Sequence, residues 1–186
     1  MYSNLFGGSA LKTSDSDNEI LTILSKSLQL EKDGLKTYLE FAGLTKDKSG
    51  KDMFIVLARD EFDHMSIIEK VIDGYTEKGC IPVVPVGKPF SAGILPELKD
   101  IANFRKGSDG TNQLDAIEMA LKFESRSQEF YLELAQKTQE DHAKSMFMTL
   151  AEMEKAHYDI LDAQRNSISG TGLWIDAAGL GMDSLA

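Results

Sequence analysis

Glu61-Phe62-Asp63-His64 and Glu154-Lys155-Ala156-His157 are one Glu-x-x-His phrase written twice. Each has a glutamate 30 residues upstream, Glu31 for the first and Glu124 for the second. The two triplets keep a constant offset of 93 residues: 31 to 124, 61 to 154, 64 to 157. Residues three apart on a helix share a face about one turn apart. Each phrase therefore presents a carboxylate and an imidazole in the same direction, and the chain carries one metal-ligand half-site in duplicate.

The residues around the triplets repeat a helical seam. Leu21, Leu24, Leu28, Glu31, Leu35, Tyr38 and Ala42 alternate spacings of three and four, as the inward face of a packed helix does. Ser16-Asp17-Asn18-Glu19 reads as a capping box opening this helix, and Gly43 as its end. Ser49-Gly50-Lys51-Asp52 signals a second start, with the seam Phe54, Leu57, Glu61, His64, Ile68, Val71 and Tyr75, closed by Lys78-Gly79. A third helix starts near Thr111-Asn112 with the seam Ile117, Leu121, Glu124, Gln128, Tyr131 and Ala135. A fourth follows a turn around 139–142, with the seam Phe147, Leu150, Glu154, His157, Leu161 and Gln164. The 93-residue offset also matches Tyr38 to Tyr131, Phe54 to Phe147 and Leu57 to Leu150. The expected fold is all-α: an antiparallel four-helix bundle made of two similar hairpins.

Between the hairpins, residues 79–111 hold all four prolines, with an extended stretch at Ile81 to Val86 and one short helix within Leu95 to Phe104. A connection this long implies a crossover from one end of the bundle to the other. Residues 1–15 read as an irregular arm. The bundle with this arm is taken as 1–165 and residues 166–186 as a tail, pinned on the bundle through Trp174 and Ile175.

Composition narrows the function. A net charge of −10 argues against nucleic acid and for a cation. The single cysteine, Cys80, rules out an internal disulfide or a four-cysteine metal knuckle within these residues and has no assigned role. No basic-then-apolar N-terminal pattern and no run of about 18 apolar residues occurs, so neither a signal peptide nor a membrane span is expected and the default location is cytoplasmic.

Taken singly, a Glu-x-x-His is ordinary surface decoration. Here six ligand-type residues, Glu31, Glu61, His64, Glu124, Glu154 and His157, replace leucine on four separate seams, and no Lys or Arg lies on those seams to pair them. Four unpaired buried carboxylates would take up protons or unfold the bundle. Two divalent cations cancel their charge. Four Glu and two His are the donor set of di-iron and di-manganese carboxylate bundles, and an oxygen-rich set favours Fe or Mn over thiolate-type Zn. Tyr38 and Tyr131, each seven residues after a ligand glutamate, are placed to hydrogen-bond a carboxylate across the bundle. Gln128 faces the same interior and has Leu35 as its counterpart; His142, in the turn before helix four, is given no metal role.

With these residues in view, the chain resembles the rubrerythrin branch of the ferritin-like superfamily over residues 17–165. The resemblance is carried by Leu30-Glu31, Tyr38-Leu39-Glu40-Phe41-Ala42 and Glu61 to His64. In the second half it is carried by Ala120-Leu121-Lys122-Phe123-Glu124, Glu129-Phe130-Tyr131 and Glu152-Met153-Glu154-Lys155-Ala156-His157. It implies a ferritin-like bundle whose two iron ions, or Mn or Zn in their place, are oxidised by hydrogen peroxide or O2. Glu61 and Glu154 would be the catalytic bridges. The resemblance also implies a homodimer paired through a helix face, with hairpin exchange across 79–111 as a further arrangement. Two departures follow. Peroxide-reducing rubrerythrins carry a four-cysteine rubredoxin-like domain, so here electrons would come from a separate donor protein. They also carry an extra carboxylate where this chain has Ser127. The alternatives are ferrous oxidation for iron storage or transfer, to which the Gly179 to Leu185 tail adds a likeness to shell-docking peptides, and a metal-stabilised scaffold that does no chemistry.

Overall fold

The computed structural model describes residues 15–79, 81–82 and 113–175. The expectations for the N-terminal arm, Cys80, the Leu95 to Phe104 helix, the Thr111-Asn112 start and the 176–186 tail lie outside those residues. Among the described residues there are four helices: α1 (Asp15–Leu44), α2 (Lys48–Lys78), α3 (Gln113–Lys137) and α4 (Asp141–Thr171). At about 1.5 Å per residue the 31-residue helices are about 46 Å long. α1 packs on α2 and α3 on α4, giving the two hairpins.

Every residue of the α2 and α4 seams is buried. The caps differ from those read in the sequence. α1 begins at Asp15, one residue before the capping box. α2 is capped by Asp47 rather than Ser49: with an extended backbone, Asp47 accepts a hydrogen bond from the Gly50 N–H at 3.1 Å. A carboxylate does this better than a hydroxyl, because the helix N-terminus also attracts negative charge. Glu140 caps α4 in the same way, accepting from the Ala143 N–H at 2.6 Å. α2 ends at Gly79 in the left-handed conformation, its N–H bonded to the Tyr75 carbonyl. α4 continues past residue 165 to Thr171, where Gly172 (φ 74°) ends it.

The core divides into two clusters, and their membership fixes the topology. One holds Leu24 from α1, Ile68, Val71 and Tyr75 from α2, Tyr131 and Leu134 from α3, and Phe147 and Leu150 from α4. The other holds Tyr38 and Phe41, Phe54 and Leu57, Ile117 and Phe123, and Leu161 in the same helix order. Each cluster occupies one end of the bundle. α1 and α4 run from the first cluster to the second, and α2 and α3 run the opposite way. α2 therefore ends at one end of the bundle and α3 starts at the other. On every helix the ligand-type residues fall between the stretches that feed the two clusters.

The repeat extends to the residues that follow each hairpin. Ile81 and Trp174 are also 93 apart. Ile81 is buried in the first cluster with Ala143 and Phe147. Trp174 packs on the second, its ring 6.0 Å from that of Phe54. At position 50, the counterpart of Ala143, a Cβ would lie 2.6 Å from Trp174 Cε2, so only glycine admits the indole there. Trp174 Nε1 donates to Gln113 Oε1 at 2.6 Å, and the buried Gln164 amide makes two 2.9 Å hydrogen bonds to the Ile175 backbone.

Candidate metal centre

All six ligand-type side chains lie in the buried layer between the clusters. Glu31 Oε2 is 3.2 Å from His64 Nδ1, which is 3.8 Å from Glu61 Oε2. His157 directs Nδ1 toward Glu124 Oε1 at 3.9 Å. Two groups have one donor atom per residue all within 4.8 Å of one another: Glu31, Glu61 and His64, and Glu61, Glu124 and His157. Glu61 belongs to both. Glu154 joins neither group, yet it is fully buried and close enough for the charges of Glu124, Glu31 and Glu61 to act on it.

The tyrosines cross between hairpins. Tyr38 on α1 donates to Glu124 Oε1 on α3, and Tyr131 on α3 donates to Glu31 Oε1 on α1. Burial, with the surrounding carboxylates, pushes both phenols well above their usual range, so both remain donors. Gln128 is only half-buried. The fully buried position is Ser127, whose Oγ has no hydrogen-bond partner. The helix turns its i+3 position inward here rather than i+4, and the seam spacing admits both.

One further residue emerges only from the packing. Asp60 on α2 is nearly buried and places Oδ2 3.1 Å from His157 Nε2 on α4. A carboxylate on the outer nitrogen of a ligand histidine fixes its tautomer and ring orientation. The inner nitrogen, Nδ1, then carries the lone pair. Burial holds the His157 pKa well below the usual range, which keeps the ring neutral, as a ligand must be. Burial also raises Asp60 to about 7.

Among the described residues no N–H or hydroxyl donor reaches either oxygen of Glu61 or Glu154, or Glu124 Oε2; their nearest polar partners are other carboxyls, Glu31 for Glu61 and Glu124 for Glu154. Burial raises Glu61 and Glu154 well above the usual carboxyl range, and repulsion from Glu124 and Glu31 adds to it. Burial also raises Glu31, against the hydrogen bond from Tyr131, and takes Glu124 up to about 8. Among the described residues no lysine or arginine is buried to compensate. Carboxyl oxygens that no N–H or hydroxyl donor reaches, inward imidazole nitrogens, and four carboxyls that would carry four negative charges once deprotonated fit a pair of divalent cations, and the two Glu/His groups are consistent with a dinuclear metal site.

The profile of the rubrerythrin family matches residues 22–164, a span that contains all six residues. The chain belongs to the rubrerythrin family. Among solved structures, a hypothetical protein from Pyrococcus furiosus is similar in fold, with a TM-score of 0.58 and 23% identity over 84% of this chain and 94% of that one. Comparison with curated proteins gives no match. Among its described residues this rubrerythrin-family chain has no helix long and apolar enough to cross a membrane.

Proposed function

We propose that the protein is a non-haem di-iron oxidoreductase in which bound Fe(II) is oxidised by hydrogen peroxide or O2, with electrons returned by a separate donor. The observation that carries this is Glu61: it is common to both Glu/His groups, and both of its oxygens are fully buried with no N–H or hydroxyl donor among the described residues. Glu61 would hold both cations, with Glu154 as the second carboxylate available to both. Glu31 and Glu124 would be terminal ligands, held in orientation by the hydrogen bonds from Tyr131 and Tyr38. His64 and His157 would each offer one nitrogen, since they belong to separate Glu/His groups. When bound, iron supplies electrons and polarises the oxygen–oxygen bond. The protein excludes bulk water, because the layer is closed above and below by the two apolar clusters. Ser127 Oγ, one helical turn from Glu124, adds a hydroxyl to this otherwise acceptor-rich layer.

Anaerobic Fe(II) titration of the metal-free protein tests the reading, followed by peroxide or O2 with a reductant. Two tight sites per chain and repeated turnover are expected. A storage protein would take up many more iron atoms, and a scaffold would bind metal without reacting. Glu61→Ala is expected to lose both metal binding and turnover; full metal content and full rate in that variant would overturn the bridge assignment.

A further inference from the structure

Rings lead away from the candidate centre on both sides, since Tyr131 also meets the half-buried Phe130 with centroids 5.2 Å apart, but among the described residues only one side ends in a second redox-active ring. Tyr38, whose hydroxyl bonds Glu124, stacks on Phe54 with ring centroids 6.1 Å apart and planes 23° apart. Phe54 meets Trp174 edge-on, centroids 6.0 Å apart. Trp174 is half-buried and is the single tryptophan of the chain. The path Glu124–Tyr38–Phe54–Trp174 thus runs from a ligand carboxylate to solvent through contacting rings. The other half of the molecule copies the first two steps and not the third. Tyr131, bonded to Glu31, stacks on Phe147 with centroids 6.1 Å apart and planes 22° apart. There the position equivalent to Trp174 is Ile81, which is aliphatic and buried.

Packing alone accounts for an apolar plug at each end, since Ile81 fills that role. It does not account for an indole, which requires Gly50 to lack a side chain and Gln113 to satisfy its N–H. Of the natural side chains, tyrosine and tryptophan are those whose rings give up an electron most readily, and here both lie on one line with a proton acceptor beside the phenol.

We propose that Tyr38 and Trp174 form a one-electron relay between the metal pair and the surface, and that Trp174 is where an external one-electron reductant delivers its electron. The proposal rests on the redox reading above. In each passage Tyr38 gives one electron toward the oxidised metal pair and its phenolic proton to Glu124 Oε1. Trp174 refills Tyr38 across Phe54, and the proton returns from Glu124 to the phenol. The reductant then refills Trp174 and leaves oxidised by one electron. The net change is one electron from the reductant to the metal pair, with no bond in the protein made or broken. Neither relay residue touches substrate, so both are positioning elements for charge rather than catalytic residues.

The link is measurable without iron. In the full-length zinc-loaded protein, pulse radiolysis with azide radical oxidises Trp174 to its indolyl radical, and transfer from Tyr38 reads the same link in reverse. The expected result is a first-order decay of the indolyl signal, independent of protein concentration, with matching growth of a phenoxyl signal. Both features should be lost in Tyr38→Phe, and the transfer should slow in Phe54→Leu, which keeps both redox-active rings. Transfer that is unchanged in both variants, or that is lost in Tyr131→Phe instead, overturns the relay. Zinc neither gains nor loses an electron, so the outcome is independent of whether iron is the metal the protein uses.

Discussion

Asp60 has no counterpart: 93 residues on stands Met153, buried and apolar. The His157 side of the centre therefore has an acidic anchor on its imidazole that the His64 side lacks at the equivalent position. Removing such a partner lowers metal affinity by about 10- to 100-fold. Asp60→Ala is expected to weaken one of the two metal sites by that factor and leave the other nearly unchanged, read as a split in a Co(II) or Fe(II) titration. Equal weakening of both sites would show that Asp60 acts on the fold rather than on His157. The six ligand-type residues were legible in the sequence because duplication wrote them twice in register. Asp60 was not, because it lies one residue off the seam in an acidic run, and only the approach of α4 to α2 buries it. The signal available was the broken symmetry itself, an aspartate paired with a methionine at the edge of a conserved offset. Gln128 against Ser127 is the complementary case, a choice between i+4 and i+3 that periodicity alone leaves open.

At the scale of elements, the sequence gives helices and seams more readily than ends. α4 runs through Ser169 and Gly170, exposed residues of low helix propensity, because it is held on either side of them, by Ile168 and by the Gly172 cap. Ile168 lies against the second cluster, and Trp174 folds back just beyond the Gly172 cap. The same contact makes a prediction about α2. In an exposed helix Gly50→Ala would add about 1 kcal/mol of stability. Here the new methyl would lie against the indole, so Trp174 must leave Phe54 and Gln113. Gly50→Ala is expected to lower the melting temperature and shift the tryptophan emission to the red. In a Trp174→Ala background the same substitution should become neutral or stabilising. Melting curves of the four proteins form the cycle, and a Gly50→Ala effect of the same sign in both backgrounds would sink the account.

For the whole molecule, a layer of acids divides the apolar core into two ends, and protons and metals compete for that layer. In the metal-free fold Glu124 titrates at about 8, against an ordinary value of 4.5, and Glu31, Glu61 and Glu154 are also raised. Between those values the folded chain holds protons that the unfolded chain has released. This contribution to stability is fully present below about pH 4.5 and is lost as pH rises through about 8. Bound metal reverses the dependence, because ligands must be deprotonated and acid expels it. Occupying one site at a hundredfold excess over Kd adds about 2.7 kcal/mol, equivalent to about 5–10 °C for a chain of this size. The melting temperature of metal-free protein is expected to fall from mildly acidic to mildly alkaline pH, while the gap between loaded and metal-free protein widens. A gap that is constant with pH would mean that the metal does not bind at these carboxyls. The offset of 93 residues has a final consequence. Two separate copies of one hairpin, related by a true two-fold axis, would assemble the same ring of four glutamates and two histidines. In such a pair every substitution appears twice, so an aspartate behind one histidine or an indole at one end is impossible without its twin. Joining the halves in a single chain frees each to diverge, and Asp60 and Trp174 mark where these two halves have ceased to be interchangeable.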